Sequence, residues 1–335
     1  MQPLGEPFKL GPLTVPNRVL LAPLAGIGNW FVRLQAKRYG AGMAFSEMVS
    51  THAIHHRNRR TCEEMLYIDA RERAGGPVAI QLFGEDPGLM REAAAYVIAS
   101  GADAVDINMG CPVPKVRRTG AGVQLLAQPD LAVALARGAV EGAGAAPVTV
   151  KLRSGLRAGD DSGAQLALRL VDEAGVAAIS FHPRSAAVQH KGVPDYDLAA
   201  RLARELPAPL ILTGGMSDAA AARDAYERTG AAALMLARGA LGNPWLFQEL
   251  VGERDAPPPT AEVVGELCWT ADAAAATMGT ERASRYLRKF YPWFVDRLEL
   301  HGAAAKALQR EMQAAPTSED ALAAFAHAAA IPAGA

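Results

Sequence analysis

The sequence predicts a (β/α)8 TIM barrel followed by a C-terminal helical bundle, and three observations carry the prediction. Eight short β-rich apolar runs alternate with Ala/Leu/Arg-rich helical stretches up to about residue 245. The runs are continuously apolar and do not alternate, as a parallel sheet buried on both faces requires. Beyond a proline-rich connector only helical stretches remain.

In chain order the runs are Val19–Leu24, Met43–Ser46, Val78–Phe83, Ala104–Asn108, Val148–Lys151, Ala178–His182, Leu210–Thr213 and Ala233–Leu236. Between them, Gly88–Ser100, Asp130–Gly142 and Ser162–Gly175 have the apolar spacing of amphipathic helices. Gly101 and Gly230 close such helices just before the next strand. Eight βα units in about 245 residues match the size of a TIM barrel. A doubly wound sheet is the rival, but its GxGxxG fingerprint after the first strand is absent. The run Asp255-Ala256-Pro257-Pro258-Pro259-Thr260 excludes helix and forms a stiff connector, with Thr260 as the expected N-cap. Four helical stretches follow, Thr260–Met278, Arg282–Leu298, Gly302–Ala314 and Ser318–Ala329. The domains expected are thus a catalytic barrel over residues 1–250 and a helical unit over 260–335.

Composition narrows the function. The 335 residues are 50% hydrophobic with a formal net charge of −1, so a nucleic-acid partner must be gripped by local basic patches. Met1–Leu10 lacks the pattern of a signal peptide, and no apolar stretch reaches the roughly 20 residues of a membrane span. Cys62, Cys111 and Cys268 lie far apart, without a CxxC pair or a Cys/His cluster. The expectation is a cytoplasmic, monomeric chain with neither metal nor membrane attachment.

In this fold the working residues sit at the C-terminal strand ends. Here those ends are polar and glycine-rich, as in Gln81-Leu82-Phe83-Gly84, Asn108-Met109-Gly110-Cys111-Pro112 and Thr213-Gly214-Gly215-Met216. The loops after strands 7 and 8 are the usual phosphate site, and Gly214, Gly215 and Arg238 suit one, although the glycines alone also fit a tight turn. Lys151 at a strand end calls for an anion, either the N1/O2 edge of a reduced flavin or a local carboxylate. Gln81 offers a donor and an acceptor to a pyrimidine edge. Cys111 is a small hydrophobe, a nucleophile or a general acid. No Cys-His-Asn spacing of a thiol hydrolase is present, and an ordinary thiol of pKa about 8.5 keeps its proton at neutral pH, so the acid reading is preferred. His182 is a second proton donor, a ligand for phosphate or ring edge, or a core histidine; Arg184 beside it supports an anion-facing role.

Together these motifs closely resemble the tRNA-dihydrouridine synthases, most of all the bacterial B-type branch. The matching elements are Ala22-Pro23-Leu24-Ala25-Gly26 with Arg33, Gln81 to Gly84, Asp106-Ile107-Asn108-Met109-Gly110-Cys111-Pro112, Lys151, His182-Pro183-Arg184 and Arg238 to Trp245. The resemblance implies non-covalent FMN, with its phosphate on Thr213, Gly214, Gly215, Ala237 and Arg238. Its ring would meet Pro23, Leu24, Ala25, Gln81 and Lys151, with Asn108 and His182 also at the cofactor. It further implies reduction by NADPH, hydride transfer from flavin N5 to uracil C6, protonation of C5 by Cys111, and a uridine flipped out of tRNA. Four motifs depart from the family pattern. Gly28-Asn29 replaces Thr-Asp, Pro183 and Ser185 replace a glycine and a threonine, Thr213-Gly214-Gly215 replaces Asn-Gly-Asp, and Ala237 replaces a glycine.

Basic clusters fit an RNA partner: Arg57, Arg59 and Arg60; Lys115, Arg117 and Arg118; Arg184; and Arg282, Arg285, Arg288 and Lys289 among aromatic residues. Without the resemblance, the last group reads as a solvated helix face. The alternatives are a flavin barrel reducing a free pyrimidine, such as a dihydroorotate or dihydropyrimidine dehydrogenase, and an RNA-binding barrel without catalysis. Gly11 to Val19 is also similar to the opening of old yellow enzyme.

Overall fold

Each continuous apolar run forms one strand of a closed parallel barrel in the computed structural model, which describes residues 2–300 and 302–330. A short antiparallel hairpin comes first, β1 (Phe8–Leu10) and β2 (Leu13–Val15), with Phe8 opposite Val15. Its two-residue turn places Gly11 at φ +55° before Pro12, the pairing a tight II′-type hairpin turn favours. The barrel strands are β3 (Val19–Leu21), β4 (Met43–Ser50), β5 (Val78–Phe83), β6 (Ala104–Met109), β7 (Val148–Arg153), β8 (Ala178–His182), β9 (Leu210–Thr213) and β10 (Ala233–Leu236). Closure comes from β10 pairing with β3, Leu234 beside Val19 and Leu236 beside Leu21.

Strand alternation divides the side chains into two cores. Outward residues such as Val105, Ile107, Val150 and Leu152 pack under the surrounding helices. Inward residues at the N-terminal end, including Ala79, Ala104, Ala178, Met43 and Phe45, meet Phe8, Leu10 and Val15 of the hairpin. The hairpin therefore plugs the bottom of the barrel. Higher up the interior turns polar: Gln81, Asp106 and Thr149 form one lateral row, and Asn108 and Lys151 lie side by side above it. Polar residues this deep need partners, and they face the open upper end.

The first run ends at Leu21, earlier than expected. Ala22 still donates to the Leu236 carbonyl, but Pro23 has no N–H to continue the ladder. The second run extends to Ser50 through a register shift between Phe45 and Met48.

Beyond the connector, helices span Thr260–Met278, Thr280–Leu287, Tyr291–Val295, Gly302–Ala314 and Ser318–Ala329. The single helix expected over Arg282–Leu298 is two pieces broken at residues 288–290, and Pro292 opens the second piece. Thr260 is the first helical residue, and Pro259 occupies the cap position without a side-chain hydrogen bond. Residues 331–335 of the expected helical unit lie outside the described residues. A buried polar cluster ties the first helix of this unit to the barrel's Trp30–Arg38 helix. Glu266 accepts from Gln35 Nε2 at 2.9 Å and from Tyr39 Oη at 2.8 Å, and Arg38 pairs with it at 3.1 Å. Among the described residues, no helix is long and apolar enough to cross a membrane.

Candidate active site

The upper barrel end opens into a cavity of about 790 Å³, within the usual range for ligand sites. Strand ends and βα loops bring together all the residues read from the sequence as cofactor-facing. Pro23, Leu24 and Ala25 line it from the β3 loop, and Gln81, Asn108 and Lys151 from the strand ends. Cys111 and His182 form adjoining wall, and Thr213, Gly214, Gly215, Ala237 and Arg238 line it from the loops after β9 and β10.

Hydrogen bonding fixes the Cys111 turn. The Asn108 side-chain oxygen accepts the Gly110 N–H at 3.2 Å and the Cys111 N–H at 2.9 Å. Arg153 Nε donates to the Gly110 carbonyl at 3.0 Å, and its Nη1 reaches the Gln189 carbonyl at 2.8 Å. The half-buried Cys111 thiol is therefore held at the cavity wall by bonds on both faces of its loop.

Gln81 points its amide sideways, to Asp106 at 2.6 Å and to Asn108 at 2.9 Å. One N–H and one lone pair remain for a ligand. Burial raises the Asp106 carboxyl to about 6, against the opposing effect of hydrogen bonds from Thr149 and Gln81. Burial, reinforced by Arg153, lowers the Lys151 ammonium to about 8. Among the described residues no carboxylate forms an ion pair with Lys151, so the local-partner alternative is not realised. The ammonium faces the cavity as a site for an external anion.

The phosphate-suited loops meet the same test. Gly214 has φ +99° and Gly215 φ +86°, conformations that disfavour other residues. A Cβ on Gly214 would lie 2.3 Å from the His182 ring, and one on Gly215 would lie 2.4 Å from Tyr196 Oη. Only bare backbone fits there, with Arg238 on the adjoining loop. Burial, then Lys151 and Arg153, push His182 well below its ordinary value, so its imidazole stays neutral. His190 stacks on it with ring centroids 5.9 Å apart and is lowered to about 4 by burial and Arg238. These neutral imidazoles, glycine amides and guanidinium suit a phosphate.

The basic residues read as RNA contacts divide among several environments. Arg117 and Arg118 are exposed on the turn after Cys111. Arg184 is buried, lines the cavity and donates to the Gly192 carbonyl at 2.6 Å. Arg285 is exposed and paired with Glu281 at 2.6 Å, and Arg288 reaches the Ala315 carbonyl at 3.3 Å. Lys289 lies past the helix end. Its ammonium donates to the Gly26 carbonyl at 2.7 Å, next to Tyr286, which donates to the Ile27 carbonyl. The Gly26 N–H in turn donates to Glu47, whose carboxyl is raised by burial. Helical-unit side chains thus grip the loop that continues from Pro23–Ala25.

Several lining residues carried no signal in the sequence: Met48, Gln189, His190, Trp293, Asp296 and Arg297. Trp293 reaches the mouth because its backbone packs on Gly242, where an added Cβ would come within 2.7 Å.

Comparison with known proteins gives a consistent set of likenesses. The family model described as dihydrouridine synthase matches residues 20–331. The chain is 39% identical over 264 residues to a probable tRNA-dihydrouridine synthase 1 of Synechocystis, covering 77% of this chain and 72% of that protein. It is 33% identical over 320 residues to tRNA-dihydrouridine synthase B of Vibrio cholerae, covering 94% and 96%. With the Pseudomonas aeruginosa synthase B it shares 35% identity over 292 residues, 86% of each chain. Among solved structures, morphinone reductase in complex with tetrahydroNAD aligns with TM-score 0.54 at 19% identity, covering 78% of this chain and 94% of that one. A 2-naphthoyl-CoA reductase aligns with TM-score 0.59 at 16% identity, covering 75% and 52%. At such identities these two structures share the barrel fold alone.

Proposed function

The chain belongs to the dihydrouridine synthase family, and on that premise we propose that it uses FMN and NADPH to reduce specific uridines of tRNA to 5,6-dihydrouridine. One observation carries the reading: a loop-anchored thiol, Cys111, and an ammonium, Lys151, that forms no ion pair among the described residues face the same cavity.

The residues present fit FMN. Gly214 and Gly215 amides, Arg238 and His182 would hold its phosphate, with Thr213 and Ala237 completing those loops. Pro23, Leu24 and Ala25, the free edge of Gln81 and the Lys151 ammonium would face its ring system. Held by these residues, FMN would supply hydride chemistry, with NADPH as the reductant and uracil C6 as the acceptor.

The chain's own residues do the rest. Lys151 presents positive charge, and an anion at its ammonium would raise its lowered pKa again. Cys111 holds the proton destined for C5, and the bonds from Asn108 and Arg153 fix the loop that carries it. His182, held neutral among cations, is a poor acid and serves as a ligand instead. Residues 260–335 form the tRNA-binding unit in this reading, with Arg285 and Arg288 on its surface and Arg117 and Arg118 beside the catalytic loop. Arg184 meets the ligand inside the cavity, and Trp293 and Arg297 wall the entrance through which a flipped uridine passes.

The test is to incubate the FMN-loaded protein and NADPH with unmodified tRNA transcript, free uridine or orotate. Mass mapping should find two hydrogens added at discrete uridines in tRNA alone. Reduction of a free pyrimidine with tRNA untouched would overturn the proposal.

A further inference from the structure

Four buried side chains form one line from the barrel interior to the Cys111 turn. Thr149 Oγ1 donates to Asp106 Oδ1 at 2.5 Å, and Gln81 Nε2 donates to Asp106 Oδ2 at 2.6 Å. Asn108 Nδ2 donates to Gln81 Oε1 at 2.9 Å, and Asn108 Oδ1 accepts the N–H groups of Gly110 and Cys111. The line follows the strand register, with Gln81 beside Asp106 on β5 and β6 and Thr149 beside Asp106 on β7.

Such a chain has a direction. Each amide has a donor end and an acceptor end, so Gln81 and Asn108 each fit two ways in shape but differ in hydrogen bonding. An ionised carboxylate only accepts. It obliges Gln81 to turn its NH2 inward, which leaves the Gln81 oxygen for Asn108 and the Asn108 oxygen for the turn. Reversing the line would set the Asn108 NH2 against two backbone N–H groups, a buried donor–donor conflict.

We infer that Asp106 is a positioning residue for Cys111, acting through Gln81 and Asn108 to keep an acceptor beneath the catalytic turn. The inference rests on the reading of Cys111 as the proton donor. Asp106 neither lines the cavity itself nor bonds to the turn, so its effect passes through the two amides. Although raised, its acidity leaves it ionised at neutral pH.

Moving the charge along the line tests the direction. Gln81→Glu alone sets two carboxylates, both acceptor-only, against each other. Their repulsion drives the side chain at position 81 away from Asn108, whose amide then loses its partner and its fixed hold on the turn. Adding Asp106→Asn supplies a donor between them again, because the introduced amide turns its NH2 to the carboxylate at position 81 and its oxygen to Thr149. That carboxylate then accepts from Asn108, and the Asn108 oxygen still faces the turn.

The readouts are hydrogen exchange at the Gly110 and Cys111 amides and the rate of Cys111 alkylation, both measured without substrate. Q81E should expose the two amides to exchange at least tenfold faster and change the alkylation rate. The double variant Q81E/D106N should restore both to within a few-fold of the parent. Equal protection in the parent and Q81E, or a double variant no better than Q81E, overturns the inference. Dihydrouridine formation by Cys111→Ala tests the underlying reading separately, since amide protection does not depend on catalysis.

Discussion

Asp106→Asn should make the protein more stable at neutral pH, and the gain should depend on pH in a stated direction. Burial moves the carboxyl from its ordinary 3.8 to about 6, so the charged form is disfavoured in the folded state despite bonds from Thr149 and Gln81. A shift of that size corresponds to about 3 kcal/mol at 1.36 kcal/mol per pKa unit. Between 3.8 and about 6 the folded state binds more protons than the unfolded chain. Stability therefore falls as pH rises through that window and levels off above it. An asparagine does not titrate, so it removes this contribution. Urea unfolding of parent and variant at about pH 4.5 and about pH 7.5 isolates the residue, because other titrating groups cancel in the difference. The stability of the variant relative to the parent should rise by about 2 kcal/mol between the two pH values. A difference that stays constant, or falls, would refute the picture of a carboxylate kept charged at a cost.

Other perturbations separate the parts of the site. Lys151→Met should weaken FMN binding, read by flavin fluorescence titration; unchanged affinity would remove the ammonium from the cofactor site. Tyr286→Phe removes a hydrogen bond to the Ile27 carbonyl. At about 1 kcal/mol for one such bond, FMN affinity should fall roughly fivefold with little change in tRNA affinity. The opposite pattern would assign Tyr286 to RNA. Arg285→Glu with Arg288→Glu should weaken tRNA binding and lower its salt dependence, by a slope of about 0.7–0.9 for each phosphate no longer neutralised. Lys289→Met should act instead on FMN binding, because its ammonium is engaged with the Gly26 carbonyl.

The barrel was readable because its strands are buried on both faces and so appear as unbroken apolar runs; Val78–Phe83 and Ala233–Leu236 have the bounds read from sequence. The hairpin Phe8–Val15 was not, since strands of three residues show no periodicity, and only the fold reveals the barrel bottom they cover. The loops that line the cavity announced themselves through residue types at strand ends. Trp293 and Arg297 did not, because they reach the mouth from a distant helix that docks on Gly242. Lys289 illustrates a different limit. Its charge and its place in a basic cluster suggested RNA, while its partner, a carbonyl 263 positions earlier in the chain, is visible only in three dimensions. The line from Thr149 to Asn108 likewise depends on strand register, which alternation alone does not set across three parallel strands.

The most direct test of the central claim compares the parent with Cys111→Ala. Both proteins are loaded with FMN, reduced with NADPH without air, and mixed with unmodified tRNA. The account predicts equal flavin content and equal reduction by NADPH, with reoxidation by tRNA and dihydrouridine formation in the parent alone. Dihydrouridine formed by Cys111→Ala at the parental rate would contradict it.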